Sequence, residues 1–281
     1  MILILPGCGR GKGYTEEDFT NNYSASDFVT TNAYSGMWLD ARAGINRKEL
    51  YVCRADNVPD DVYQLVVEGL EKIIDEAGRH VSVVQEEIGL PTCYRSPDWY
   101  QTETMTDRQR MHGLQANATS IIELLRSHDD RNDHFVVLIT AADLTTGEIG
   151  NNFIFGLSWY PYIVVSARRF LDWGVTREGG YPEETYRQAV SMLAAHEFGH
   201  YLDLVQRNFN SYRNTGTLVD NHCMGESGMC LMQQSNVDAP GCIDALERTY
   251  RVFSREHWLC PDCAAELYYR RQALEEEGYE W

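Results

Sequence analysis

The sequence predicts an α/β protein, because short apolar runs of strand length alternate with amphipathic stretches of helical period. Three observations carry this. Residues 135–140, FVVLIT, form a continuous apolar run that reads as a strand buried on both faces. Residues 60–77 place Val62, Leu65, Val66, Leu70, Ile73 and Ile74 on one helical stripe, closed by Gly78. From Glu183 to about residue 205 the chain runs without an internal proline and reads as one long helix.

The other elements follow in order. Residues 2–5 read as a first buried strand; the apolar start, Met1 to Pro6, is too short and uncharged for a signal peptide. The glycine-rich stretch 7–13 lacks P-loop spacing, since Gly7 lies five before Lys12 and Gly13 follows it, so it reads as a turn. Residues 14–58 are polar and weakly periodic and read as an irregular insertion. A strand over 80–84 and a second helix over 107–126 follow, the helix with Leu114, Ala118, Ile121, Ile122 and Leu125 inward. Strands are predicted at 152–155 and 163–166. No repeat or low-complexity tract interrupts the 281 residues, read as a single domain with an upper part over 1–205 and a lower part over 206–281.

Composition narrows the function. A formal charge of −18 argues against a nucleic-acid partner and against adsorption to an anionic membrane, since phosphate would be repelled over most of the surface. No run approaches the length of a membrane span. Eight cysteines without a secretion signal point to thiols and metal ligands in a reducing, cytoplasmic compartment.

The chemistry lies in the long helix, in His196-Glu197-Phe198-Gly199-His200. At about 100° per residue the two histidines stand on one face, near enough to bind one ion. Glu197 is offset so that its carboxylate reaches a water on the metal without ligating it, the geometry that general-base hydrolysis needs. A hydrolytic zinc takes three protein ligands. Candidates for the third are Asp203, Asp220 and His222. Asp203 would crowd the metal on a straight helix, and the 21-residue loop to His222 costs only about 1 kcal/mol more to close than a short one. Downstream, Cys223, Cys230, Cys260 and Cys263 offer four thiolates, enough to close a structural zinc site; free buried cysteines or a disulfide are the alternatives. Cys8, Cys53, Cys93 and Cys242 show no metal spacing. Tyr201 and Tyr212 are candidates for stabilising an oxyanion.

This pattern resembles the archaemetzincins, zinc metallopeptidases of the metzincin clan. The resemblance rests on His196-Glu197-Phe198-Gly199-His200, then His222-Cys223, Cys230-Leu231-Met232 and Cys260-Pro261-Asp262-Cys263. Upstream, Leu138-Ile139-Thr140, Asp143-Leu144, Asn152-Phe153-Ile154-Phe155-Gly156, Val164-Val165-Ser166 and Arg168 look like the family's strands; Arg108 and Gln109 fit less specifically. It is strong over 134–170 and 196–263, weak over 59–128 and absent over 14–58.

The resemblance implies a mixed, twisted sheet with an antiparallel edge strand near 152–159, packed on the zinc helix, and a cysteine-zinc C-terminal subdomain. It implies two zinc ions: a catalytic one on His196, His200 and His222 with Glu197 as base and acid, and a structural one on Cys223, Cys230, Cys260 and Cys263. Met232 would form the turn beneath the metal, and a peptide or protein substrate would bind in extended form along the edge strand. The chain departs from the family in carrying Asp203 where the family has a helix-ending glycine. It also has a longer approach to His222, six residues between Cys223 and Cys230 instead of four, and 27 between Met232 and Cys260 instead of about 17. A non-catalytic, zinc-stabilised peptide-binding protein of the same fold is the rival reading, and a site with a downstream carboxylate such as Glu226 a third; the base Glu197 separates enzyme from binding module.

Overall fold

A computed structural model describes residues 14, 46–55, 58–87, 115–128, 133–146, 153–202, 222–223, 229–233 and 243–281. The predicted strand 2–5, the glycine-rich turn, residues 107–114 and the candidate ligands Asp203, Asp220 and Glu226 lie outside them, as do Tyr212, Arg108, Gln109, Cys8, Cys93 and Cys242.

The α/β class holds. Five strands form one mixed sheet in the order β2-β1-β4-β7-β6: β1 Glu49–Arg54, β2 Ser82–Glu87, β4 His134–Thr140, β6 Gly156–Trp159 and β7 Tyr162–Ser166. All neighbours are parallel except β6, which pairs antiparallel with β7 and forms an edge. A separate parallel pair joins β3 Gln115–Asn117 to β5 Asp143–Thr145. The helices among the described residues are α1 Asp60–Ala77, α2 Ala118–His128, α3 Arg168–Thr176, α4 Glu183–Tyr201, α5 Ile243–Val252 and α6 Pro261–Glu276.

Strand alternation splits the interior into two cores. Leu50, Val52, Phe135, Val137, Ile139, Ile163 and Val165 face α1 and α4, whereas Cys53, Val136, Leu138, Tyr162 and Val164 face α2. The run FVVLIT is apolar throughout because both faces are covered. Helix α4 is buried nearly all round, between α1, α3 and the sheet. Its approach to α1 is close at Gly69, where an added Cβ would fall on Ser191 Oγ, itself bonded to the Leu65 carbonyl.

Several boundaries differ from the sequence reading. The segment 14–58 is not irregular throughout: its last part forms β1, an interior strand of the sheet between β2 and β4. Its alternating burial reflects tertiary pairing that a short polar-flanked stretch does not announce. Helix α2 begins at Ala118, where Asn117 Oδ1 accepts the Ser120 N–H at 3.1 Å and caps it. Of the strand read at 152–155, Ile154 makes only an isolated bridge to Leu144; the edge strand starts at Gly156. Helix α4 ends at Tyr201 instead of about 205, closed by the Leu202 N–H on the Gly199 carbonyl at 3.1 Å. Gly78 does close α1, in the left-handed conformation at φ 66°.

Two buried polar clusters fix the layers around the edge strand and the C-terminal region. Arg169 of α3 grips Asp143 of β5 through two hydrogen bonds of 2.7 and 2.8 Å, and Gln115 of β3 adds a third at 2.8 Å. The guanidinium lies 3.5 Å from the centre of the Phe153 ring, just before the edge strand. At the far end of α1, Glu76 accepts the Trp258 and Leu259 N–H groups at 3.0 and 2.9 Å, together with the Tyr14 hydroxyl. Removing one partner of a buried ion pair leaves the other charge without compensation. Arg169→Leu is therefore expected to lower unfolding free energy by about 3–5 kcal/mol in urea denaturation.

Candidate metal centre

Helical geometry places His196 and His200 one turn apart on α4, with ring centroids 5.0 Å apart. His222, from a separate segment, stacks on His196 at 5.1 Å and lies 5.2 Å from His200. One ligand nitrogen from each ring lies within 4.8 Å of the other two. The Nε2 atoms of His196 and His222 are 3.2 Å apart. The structure thus brings together the three histidines that the sequence singled out.

The charge state follows from burial. Desolvation first, then the neighbouring rings, hold His196 well below the ordinary histidine range, and the same causes push His200 down to about 3. At neutral pH these imidazoles are uncharged and carry lone pairs. His196 Nδ1 lies 2.7 Å from the Leu231 carbonyl oxygen, which can only accept, so Nδ1 donates and Nε2 is left as the lone-pair atom facing His222.

Glu197 is partly buried beside this cluster. Burial raises its carboxyl to about 7, and a hydrogen bond from Ser158 opposes the rise. A divalent cation at the histidines would lower it further. Gly156 and Ser158 share one face of β6, two residues apart, and that face looks onto Glu197. A Cβ on Gly156 would stand 3.1 Å from Glu197 Oε1 and 3.2 Å from the Val164 carbonyl, so the carboxylate occupies the space that the missing side chain leaves.

The four cysteines form a second cluster, wholly buried, with their Sγ atoms within 4.8 Å of one another. Cys223 and Cys260 Sγ are 3.6 Å apart, and none of the four is in a disulfide. Cys260 caps α6, with Pro261 opening the helix, and its N–H points at Cys230 Sγ at 3.3 Å. Burial and neighbouring sulfurs drive Cys230 and Cys263 well above the usual thiol range. These two thiols resist ionisation unless a cation sits among the sulfurs.

Both sets fit zinc. Tetrahedral bonds of about 2.05 Å to nitrogen and 2.3 Å to sulfur require ligand separations of about 3.3 and 3.8 Å. The His196–His222 pair at 3.2 Å and the Cys223–Cys260 pair at 3.6 Å match, and the remaining pairs lie within 4.8 Å. Among the described residues the histidine set has three protein donors, which leaves a coordination position for a small molecule, whereas the cysteine set has four.

Met232 is fully buried, and its carbonyl accepts the Cys223 N–H at 2.8 Å. Tyr201 has no part in an oxyanion site: its hydroxyl donates to the Tyr162 carbonyl at 2.7 Å, tying the end of α4 to β7. Cys53 lies buried on β1, away from both clusters' ligand sets. Sequence reasoning missed three contributors. The Leu231 carbonyl has no side-chain signature, while Gly156 and Ser158 were legible only as small residues at period-two spacing.

No protein-family model matches the chain, and no curated protein matches it. Among solved structures the chain is similar to the archaemetzincin of Methanopyrus kandleri, with 21% identity, a TM-score of 0.49, and coverage of 81% of this chain and 97% of that one. It is also similar to a zinc-dependent peptidase from Methanocorpusculum labreanum, with 18% identity, a TM-score of 0.46, and coverage of 78% and 99%.

Metal analysis of the purified protein is expected to give two zinc ions per chain, one for each donor set. His222→Ala is expected to leave about one; an unchanged count would remove His222 from the site. On the peptidase reading proposed below, Gly156→Ala is expected to reduce turnover several-fold with zinc content unchanged, since the Glu197 side chain must give by a few tenths of an ångström. Steady-state kinetics with parallel metal analysis checks it.

Proposed function

We propose that this chain is a zinc-dependent peptidase of archaemetzincin type, hydrolysing peptide bonds in the cytoplasm. The observation that carries the reading is Glu197, a partly buried carboxylate beside three clustered imidazoles and facing an edge strand.

The two clusters take different roles by donor count. His196, His200 and His222 would hold the catalytic ion, and Cys223, Cys230, Cys260 and Cys263 a structural one. The ion at the histidines would supply Lewis acidity, bringing a water to ionise near neutral pH and polarising the scissile carbonyl. Glu197 accepts the water's proton and passes it to the nitrogen of the departing amine. One carboxylate serves both transfers because it lies beside the position a metal-bound water would take and is held there by Ser158. Ser158 holds the carboxylate on the strand side.

Substrate recognition follows from the register of β6. The Ser166 N–H bonds the Phe155 carbonyl at 2.7 Å, and Gly156 stands opposite Val165. In an antiparallel ladder the inward-bonding residues alternate, so Leu157 and Trp159 face β7 while the backbone groups of Gly156 and Ser158 point outward. An extended peptide pairing with those groups lies beside Glu197, with its backbone supplying affinity and side-chain pockets selectivity.

The cytoplasmic assignment rests on free cysteine thiols, which a reducing compartment preserves. Among the described residues no helix is long and apolar enough to cross a membrane. A purely binding module has no use for a carboxylate so placed.

Glu197→Gln is expected to slow cleavage of a peptide library at least about 100-fold with zinc content unchanged. Mass spectrometry of the digest reads the outcome, and equal cleavage by the variant would exclude Glu197 as the base.

A further inference from the structure

The two donor clusters are not independent in the chain. His222 and Cys223 are consecutive, so one peptide unit carries the third imidazole into one cluster and a thiol into the other. The Cys223 N–H is bonded to the Met232 carbonyl at 2.8 Å, and Cys223 bridges to Gln233. That same turn begins with Cys230, whose N–H is held by Gln233 Oε1 at 3.0 Å.

A second connection runs through Leu231. Its carbonyl accepts His196 Nδ1, and its N–H is bonded to the Trp258 carbonyl at 2.8 Å. Trp258 lies two residues before Cys260, and its own N–H is fixed by Glu76 of α1. His200 and most of His196's setting come from α4, which is packed on all sides. By contrast, the position of His222 and the carbonyl that selects the His196 tautomer come from short segments that carry Cys223 and Cys230 of the cysteine cluster, with a backbone bond to Trp258 beside it.

Resting on the zinc reading above, we propose that the four-cysteine site is the positioning device for the three-histidine site, so that the two metals bind with positive coupling. Filling the thiolates fixes residues 222–223 and 230–233, and with them two of the features the histidine site requires. Supporting groups of this kind change metal affinity by about 10–100-fold when lost. The coupling is reciprocal, as linkage demands. Its consequences are unequal, however, because a four-thiolate site stays loaded after a ten-fold weakening while a three-imidazole site with an open position does not.

Competition with chelators of graded strength, on the full chain, measures both zinc affinities without reference to catalysis. Circular dichroism monitors folding. Cys263→Ser is expected to weaken the histidine site at least ten-fold, and Cys263→His, which keeps four ligands, to restore it to within about three-fold. A folded Cys263→Ser protein whose histidine site binds within two-fold of the unsubstituted chain overturns the proposal.

If Cys263→Ser does not fold, the reciprocal arm decides. His200→Ala lies on α4, outside the cysteine cluster, and leaves the four thiolates to hold the fold. It is expected to raise the zinc dissociation constant of the cysteine site at least ten-fold, with the ion still bound at micromolar zinc. The thiolate-to-metal absorption of the cobalt-substituted protein identifies that site. A cysteine-site constant unchanged within two-fold overturns the coupling. Because the readout is metal affinity, failure of the peptidase reading would show separately, as absent cleavage with both constants as expected.

Discussion

The hydrogen bond from His196 Nδ1 to the Leu231 carbonyl decides what the histidine cluster can do. A buried imidazole carries one proton and one lone pair, and a carbonyl can take only the proton. The lone pair is thereby committed to Nε2, which faces His222. Burial keeps His196 and His200 uncharged, so the nitrogens converge on one spot without the repulsion that three imidazolium ions would bring. Were Leu231 displaced, the ring could flip its tautomer and the cluster would lose a donor while keeping every residue.

That dependence explains why so much of the buried polar structure lies away from the histidine cluster. Leu231 is held by Trp258, and Trp258 by Glu76 at the end of α1, which packs along α4. On the other side, the Asp143–Arg169–Gln115 cluster seats Phe153 and leads the chain into the edge strand that looks onto Glu197. Each cluster buries carboxylate oxygens, which is tolerable because those oxygens accept several hydrogen bonds. Both join elements distant in sequence, so they fix the relative placement of helix, strand and turn where apolar packing alone would allow slippage.

How much of this the sequence disclosed depends on whether the signal was local. The candidate ligands were legible because helical periodicity relates His196 to His200, and C-x-x-C spacing relates Cys260 to Cys263, with no knowledge of the rest. The FVVLIT strand and α1 were legible for the same reason. Strand β1 was not, since Glu49–Arg54 becomes an interior strand only through its two neighbours. Helix α4 stopped at Tyr201 because the Tyr201 hydroxyl and Leu202 are committed to β7 and the core, contacts that no local pattern encodes. The Leu231 carbonyl was invisible in principle, as every residue has one.

The two clusters also differ in the charge they would present once filled, and this separates their roles more firmly than ligand count alone. Three neutral imidazoles leave a divalent ion's charge uncompensated, so it is available to an oxygen entering the open position. Four thiolates over-compensate the ion, and the surplus negative charge needs an answer from the protein. It has one: Cys260 and Cys263 sit at the N-terminal end of α6, where the helix dipole is positive, and the Cys260 N–H points at Cys230 Sγ. The histidine cluster is instead given a nearby carboxylate and an accessible strand. One site satisfies its charge internally and the other leaves it unsatisfied, the physical difference that the proposed division into a structural and a water-activating ion rests on.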